Sequence, residues 1–498
     1  MPIPKEILAV ERPKNTIVAS YGKNGDRYAV RQRTGCVRKG GRNLPITGPT
    51  IGHIIGGKYV PIDAEAIADI SEDTVEIRDW ANIAEAESCF SDILGELRRV
   101  YSESDSLKIY SMAVLRTTNA GIKDCELGDA YRESFLSVSH PDVALSRNTI
   151  SGFLNALGKN YSKIVAFMRN RAAGIGLDHH LLIDGTLKSN ESKVNSLSEF
   201  SRKALKKGTR DISVIYAFDL DAMEPVCSKC YPGNVLDSVS FEDFLKECRI
   251  ERGIIVGDKA FTHQSAREWI DAHKEIHFLS PVKRNSKYIS THDMLAFDGV
   301  LRNQEGITYR KAKVSGDAKW LYAFRDASLA AKEEKDYLAR AKKDGSYSVK
   351  DHEAKRKTFG VVVLESSLDA DAETVYAAYA ERWQIEVVMR YYKHALDFDE
   401  TREHDDYSIL GSEFVDFLSS LLTFRLLKAF DKARLLERMN YGRAMKILAR
   451  AKKAYVDGEW KLRRIALKER EVLEDLGLIE KPMEEPKRKR GRPRKNQV

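Results

Sequence analysis

Two aspartates of this 498-residue chain stand directly after apolar runs that are typical of short buried strands. Asp184 follows the run at residues 181–183, and Asp258 follows the run at residues 254–257. If the two strands are neighbours, both carboxylates lie at one sheet edge, where they repel each other unless they share a proton or bind a cation. Carboxylate oxygens are ligands that Mg²⁺ prefers. The pattern therefore predicts a metal site, although an Asp after a strand is more often a turn former.

A third acid belongs to a long predicted helix in which four polar side chains share one stripe. Tyr379, Arg382, Glu386 and Lys393 are spaced so that, at about 100° per residue, all four fall within about 60° of one another. Such a stripe can place one carboxylate beside two cations. An ordinary amphipathic helix with an i, i+4 ion pair between Arg382 and Glu386 explains the same residues taken singly.

The elements that must position these side chains follow from the hydrophobic periodicity. Residues 177–283 predict the order β, β, β, α, β, α, β. Three successive strands followed by alternating helices and strands predict an α/β fold with a mixed sheet, and this is the element order of a ribonuclease-H-like core. The charged residues 284–358 interrupt the core as an inserted segment, and residues 359–410 complete it with a strand and the long helix.

Regions of different character flank this core. We predict a small N-terminal basic β-rich module at residues 1–64, a helical DNA-binding region at 65–176, a C-terminal helical region at 411–480 and a basic tail at 481–498.

A helix is predicted after Ser146 in the first of the helical regions, because a capping residue there precedes an apolar stripe. It could be the second helix of a helix-turn-helix, with Arg147, Asn148 and Ser151 facing DNA. It could equally be a capped surface helix in a helical bundle.

Positive charge is concentrated at the two ends of the chain, although the formal net charge is only +8. Residues 1–60 carry eleven Lys/Arg against three Asp/Glu, and residues 487–495 carry seven positive charges and no negative one. Basic segments of this kind suit a polyanion, because each neutralised phosphate releases counterions. The tail, with Arg490, Arg492 and Arg494, resembles an AT-hook that lies in the narrow minor groove of A·T-rich DNA. A disordered basic tail that binds DNA without sequence preference is the alternative.

The stripe of the long helix also carries a family resemblance. YAERWQIEVVMRYYK matches the YxxRxxxExxxxxxK signature of DDE transposases from prokaryotic insertion sequences, specifically the insertion-sequence-four-type superfamily. Asp184, in Asp184-Gly185-Thr186, and Asp258 stand where the family has its first two acids. Asp258 lies in GDKAF, whereas family members often have Asp-Arg-Gly there.

The resemblance implies a role for each matching residue. Asp184, Asp258 and Glu386 would be the catalytic acids and would hold two Mg²⁺ ions, for which Mn²⁺ could substitute. Tyr379, Arg382 and Lys393 would contact DNA phosphates near the transposon end. The resemblance further implies a homodimer in a synaptic complex with double-stranded DNA, comprising transposon ends and target. The apolar segment at residues 413–430 is a possible interface, and a buried core helix is the alternative.

We therefore interpret the chain as a DNA transposase that cleaves transposon ends with metal ions and joins them to target DNA by cut-and-paste. The alternatives are a metal-dependent nuclease on the same core without strand transfer, and a non-catalytic DNA-binding derivative. The sequence has no apolar run of about 18 residues, so no membrane span is expected. The N-terminus lacks the apolar stretch of a secretory signal. We expect a cytoplasmic, nucleoid-associated protein.

Overall fold

The computed structural model describes most of the chain and divides it into two compact units. The described residues are 3–21, 27–39, 42–55, 57–61, 76–190, 192–201, 208–235, 237–257, 264–342, 347–380, 400–401 and 403–481. The first unit comprises residues 1–77 and 454–461, and the second comprises residues 78–453 and 462–498.

The first unit contains a four-stranded antiparallel sheet in the order β1-β2-β3-β4. Its elements are α1 (Lys5–Leu8), β1 (Thr16–Tyr21), β2 (Arg27–Lys39), β3 (Arg42–Ile55) and β4 (Lys58–Pro61). Val18, Val30 and Ile54 are buried together in its small core. β2 and β3 have 13 and 14 residues, so both are much longer than the strands beside them.

Residues 81–176 of the second unit are mainly helical and follow the short strand β5 (Ile77–Asp79). Buried apolar residues such as Ile83, Phe90 and Leu97 recur at helical spacing and form one face of the first long helix. The elements are α2 (Ala81–Arg98), α3 (Glu103–Thr118), a 3₁₀ turn (Asp124–Glu126), α4 (Leu127–Glu133), α5 (Leu136–Ser139), α6 (Arg147–Lys159) and α7 (Tyr161–Ala172).

The predicted cap of α6 is present, since Ser146 Oγ accepts a hydrogen bond of 3.3 Å from the backbone N–H of Thr149. Arg147, Asn148 and Ser151 are exposed, while Ile150 is buried against the core.

A ten-stranded mixed sheet forms the centre of the second unit and confirms the predicted α/β class. The predicted order of three strands followed by alternating helices and strands is found. One short strand, the two-residue β7, is additional and pairs with β8. Its first elements are β6 (His180–Ser189), β7 (Glu199–Phe200), β8 (Arg210–Asp219), β9 (Glu224–Pro232), α8 (Asp237–Cys248), β10 (Gly253–Val256), α9 (Gln264–Ala272) and β11 (Ile276–Pro281). β6, β10 and β11 are parallel, whereas β8 is antiparallel to β6 and β9 is antiparallel to β8.

The segment predicted as an insertion adds strands to the edge of the same sheet. It contains α10 (Lys287–Thr291), β12 (Gly299–Val300), β13 (Ile307–Lys313), β14 (Trp320–Asp326), α11 (Ala327–Ala341) and α12 (Val349–Arg356), and β15 (Val361–Ser366) follows it. β15 pairs with both β14 and β11, so the sheet order from this edge is β12-β13-β14-β15-β11-β10-β6-β8.

The last elements are mostly helical: α13 (372–380), α14 (Asp406–Lys432), α15 (Tyr441–Leu448), β16 (Lys452–Val456), β17 (Glu459–Leu462) and α16 (Leu467–Asp475). The strand pair β16–β17 differs from the helical prediction for residues 411–480. It turns at Asp457-Gly458, where φ is +55° and +84°, a geometry that favours an Asp-Gly turn over a helix.

Helix α14 is the central helix of the second unit and is buried along most of its length. It packs closely on α6, because a Cβ at Gly411 would lie 2.1 Å from the backbone oxygen of Leu154. The segment that was a possible dimer interface is therefore a core helix, with Phe414, Phe417 and Leu421 fully buried. Within the described parts of the chain, no helix combines the length and hydropathy needed to cross a bilayer.

Candidate active site

Asp184 lies in the middle of β6, on the sheet face that α14 covers. Leu181 and Ile183 point into the main core on the opposite face, because successive side chains of a strand alternate. Leu182, on the face of Asp184, is buried in one cluster with Phe424 of α14. Asp184 itself is exposed, and its Oδ1 accepts a hydrogen bond of 2.9 Å from the backbone N–H of Gly185. On this face, the neighbouring Leu182 is therefore covered by α14, whereas the side chain of Asp184 is accessible to solvent.

Lys188 lies four residues further along β6, on the same face as Asp184, and is buried in an ionic cluster. Its Nζ lies 2.6 Å from Glu413 Oε2 and 3.0 Å from Asp416 Oδ2, both on α14. Arg116 of α3 continues the cluster, with NH1 2.7 Å from Asp416 Oδ1. These contacts attach the strand that carries Asp184 to two helices of the core.

The charges in this cluster stabilise one another despite burial. Burial by itself would lower the pKa of Lys188. The nearby carboxylates of Glu413 and Asp416 have the larger combined effect, so the pKa of Lys188 is raised above its ordinary value. Burial raises the pKa of Glu413 to about 6, and Lys188 opposes that shift. Sequence reasoning missed this cluster. The available signal was two acids, three residues apart, in the otherwise uncharged residues 407–424 of the helix, since buried acids need partners.

The strand that leads to Asp258 is next to the strand that carries Asp184. β10 ends at Val256, and the parallel register pairs Val256 with Leu182. The backbone N–H of Gly257 donates a hydrogen bond of 2.9 Å to the oxygen of Leu279 on β11. Asp258 lies outside the described residues.

Tyr379 lies on α13, and that helix covers the same sheet face as Asp184. Ala372, Val375 and Ala378 of α13 are buried in one cluster with Ile254 of β10, and Tyr379 packs half-buried against it. Ile254 and Val256 share a face because they are two residues apart in a strand. Val256 is buried with Leu182, whose face carries Asp184. Arg382, Glu386 and Lys393 lie outside the described residues, as do Arg490, Arg492 and Arg494 of the tail.

A second group of potential metal ligands lies at the start of β6, away from Asp184. His179, Asp219 and Asp221 each offer a ligand atom, and these atoms lie within 4.8 Å of one another. His179 Nδ1 lies 2.6 Å from Asp219 Oδ2, and this hydrogen bond raises the pKa of His179. Asp219 Oδ1 also accepts the backbone N–H groups of Asp221 and Ala222. The three hydrogen bonds of Asp219 hold the turn at residues 219–222 against His179.

Comparisons with known proteins match the region that contains the sheet to one protein family. Residues 176–406 match the family model described as the transposase DDE domain. A search of curated proteins found no match. Among solved structures, the chain resembles the piggyBac transposase synaptic complex with hairpin DNA, with TM-score 0.38, 12% identity and coverage of 74% of this chain and 79% of that one. It also resembles the Mos1 transposase paired-end complex with left transposon end, with TM-score 0.15, 13% identity and coverage of 31% and 58%. The family match spans β6 to α13, and therefore includes Asp184 and Tyr379.

Proposed function

We propose that the protein is a DNA transposase that cleaves DNA at transposon ends and joins those ends to target DNA by cut-and-paste, because residues 176–406 match the family model described as the transposase DDE domain. Asp184, Asp258 and Glu386 are the proposed catalytic acids. The observation that carries the proposal is the sheet face that Asp184 shares with α13 and with the end of β10.

The strand order supports the assignment of a ribonuclease-H-like core. The five strands β9-β8-β6-β10-β11 are adjacent in that order, and the three last-named strands are parallel. In chain order, helix α8 lies between β9 and β10, and helix α9 lies between β10 and β11. This arrangement supports placing the first acid on the first, central strand of the core and the second acid after the fourth.

The register supports a short distance between the first two acids. Val256 pairs with Leu182 in parallel strands. Val256 stands two residues before Asp258, and Leu182 stands two residues before Asp184. Parallel neighbours advance together along the sheet, so a register continued by two residues would pair position 258 with position 184.

The helix packing supports the third acid. α13 covers the sheet face on which Asp184 lies, and Glu386 follows the last described residue of α13 by six positions. In the sequence periodicity, Glu386 belongs to the stripe that begins with Tyr379. A continued α13 would therefore present Glu386, Arg382 and Lys393 on the side of Tyr379.

The residues present fit divalent cations. Asp184 offers an exposed carboxylate beside strands whose apolar residues are buried, and carboxylate oxygens suit Mg²⁺ or Mn²⁺. Asp184, Asp258 and Glu386 would hold two such ions. When bound, a pair of cations stabilises the attacking and leaving oxygens of a phosphodiester substitution.

The cationic side chains of the stripe would position the DNA. Arg382 can bind a phosphate through two parallel hydrogen bonds, whereas Lys393 acts as a point charge. Tyr379 would contribute a phenol hydroxyl beside them. The substrate is double-stranded DNA, namely the ends of the element and a target duplex, and two copies of the chain would hold the two ends.

Cleavage and joining by the purified full chain test this proposal. The substrate is a duplex from the DNA that flanks its own gene, with Mg²⁺ or Mn²⁺ and a supercoiled target. We expect cleavage and joined products from the wild type, and neither from Asp184→Asn, with DNA binding retained. Asp178→Asn is the matched control, because Asp178 is an exposed acid shortly before β6. It should behave as the wild type.

The other outcomes identify the alternatives. Cleavage by the wild type without joining would favour a nuclease on the same core. Binding without cleavage under both metals would favour a non-catalytic DNA-binding protein. Full cleavage by Asp184→Asn would contradict the assignment of this acid.

A further inference from the structure

A two-stranded ribbon projects from the sheet of the first unit. We call residues 33–39 and 42–47 of β2 and β3 the ribbon arm; their register runs from Arg33–Thr47 to Lys39–Arg42. The outer strands stop before it, because β1 pairs with β2 only as far as Gln32 and β4 pairs with β3 only from Gly52 onward. Five register steps at about 3.3 Å each make the arm roughly 17 Å long.

The two faces of the ribbon arm differ in chemistry. Partners across an antiparallel pair share a face, so Val37 and Leu44 lie on one face, and Gly35 and Ile46 lie on it as well. Val37, Leu44 and Ile46 are 51%, 45% and 48% exposed. Arg33 and Arg38 are exposed and lie on the opposite face. For Arg33 this follows from its register partner Thr47, because the register shifts between Arg33 and Gly35.

The charge of the segment that contains the arm has one sign only. Residues 27–61 include seven Lys/Arg and no Asp or Glu. The arm therefore has no acidic side chain of its own segment with which to pair Arg33 or Arg38. An unbalanced positive ribbon attracts a polyanion, because binding releases the counterions of that polyanion.

We propose that the ribbon arm binds duplex DNA in the major groove. That groove, about 12 Å wide, admits a two-stranded β-ribbon. The apolar face of Val37, Leu44 and Ile46 faces the groove floor, where thymine methyl groups are available for apolar contact. Arg33 and Arg38, on the outer face, extend sideways to the phosphates at the two edges of the groove. This inference rests on the proposed function for the choice of DNA as the partner, and it adds a binding surface outside the DDE domain.

The salt dependence of DNA binding by the full chain tests the proposal. In a titration with a duplex from the end of its own element, each phosphate contact contributes about 0.9 to the slope of log K against log salt. The double variant Arg33→Gln/Arg38→Gln should therefore lower the slope magnitude by about 1.8. It should weaken binding by roughly tens of fold at 0.1 M salt and approach the wild type near 1 M.

Two further variants test whether the effect comes from contacts of Arg33 and Arg38 with DNA, from the lower net charge of the protein or from a folding defect. Arg33→Lys/Arg38→Lys keeps the charge and should keep the slope near that of the wild type. Arg443→Gln/Lys446→Gln removes two exposed charges from α15 and is the matched control, with a smaller change of slope. An unchanged slope in the Arg-to-Gln variant overturns the proposal, as does an equal loss in the α15 control.

A second copy of the chain is the competing occupant of the apolar face. Leu44→Thr/Ile46→Thr should weaken DNA binding without changing the molar mass measured by light scattering in the absence of DNA. A loss of oligomer with unchanged DNA binding would overturn the proposal in favour of an interface between copies. The cleavage assay is a separate readout. If the wild type cleaves DNA but Arg33→Gln/Arg38→Gln leaves the salt slope unchanged, only the proposal for the ribbon arm is contradicted. If that variant lowers the salt slope but the wild type does not cleave DNA, only the proposed transposase activity is contradicted.

Discussion

Lys188 of β6 and Glu413 of α14 form an ion pair in which Nζ and Oε2 are 2.6 Å apart and both side chains are almost fully buried. The strand that carries Asp184 is held to the central helix by this pair. Lys188 and Asp184 share a face of the strand. The position of that face against α14 therefore depends on a charge pair as well as on apolar packing.

Removal of the lysine charge should destabilise the second unit. Lys188→Met leaves the carboxylates of Glu413 and Asp416 with one cation fewer in a buried site, and breaking such a pair costs about 3–5 kcal/mol. Urea denaturation followed by circular dichroism measures the loss, with Lys193→Met, at an exposed position, as the control. Lys188→Met/Glu413→Leu removes one charge of each sign and should recover part of the loss. If it recovers nothing, charge imbalance is not the cause.

The stability of the helical region should depend on pH through Glu85 of α2. Burial raises the pKa of this carboxyl group from 4.5 to about 7, and a hydrogen bond with Cys89 opposes the shift. The folded state therefore binds more protons than the unfolded state between these values, and the free energy of unfolding falls as pH rises through this window, by up to roughly 3 kcal/mol.

Glu85→Gln should remove that dependence and stabilise the protein at pH 8. Unfolding midpoints at pH 5 and pH 8 are the measurement, with Glu133→Gln at an exposed position of α4 as the control. An equally steep pH dependence in Glu85→Gln would show that another group is responsible.

The close contact between α6 and α14 should not tolerate a side chain at Gly411. A Cβ there would lie 2.1 Å from the backbone oxygen of Leu154, so one helix must shift. We expect Gly411→Ala to cost about 1–3 kcal/mol. Gly442→Ala in α15, where the nearest atom is 3.9 Å away, should stay within about 1 kcal/mol of the wild type. Comparable thermal midpoints for the two variants would contradict the packing argument.

The basic tail should contribute to DNA affinity in a way that depends on base composition. Substitution of Arg490, Arg492 and Arg494 by Gln should weaken binding to an A·T-rich duplex more than to a G·C-rich duplex, if the tail inserts into a narrow minor groove. Fluorescence anisotropy with the two duplexes measures the difference. Equal losses on both would favour the alternative of a basic tail without sequence preference.

Much of the core could be predicted because its signals are local. The apolar run before Asp184, the largely apolar run of β8 and the cap at Ser146 each depend on neighbouring residues, and the structure contains the corresponding strands and helix. The ion cluster of Lys188, Glu413, Asp416 and Arg116 could not be predicted, because its members come from three distant segments. The strands at residues 452–462 were missed since two short strands in a helical context give a weak periodic signal.

By itself, the sequence determined the chemistry that is available: acids after two apolar strands, a helical stripe with one acid and two cations, and two chain ends in which Lys and Arg outnumber the acids. Periodicity and residue type are local properties, so they can be read without a fold. Only the tertiary structure decided that β10 lies beside β6 in parallel register, that α13 and Asp184 share one sheet face, and that β2 and β3 extend beyond their neighbours as a ribbon. Those relationships depend on pairing and packing between residues far apart in the chain, which no local pattern encodes.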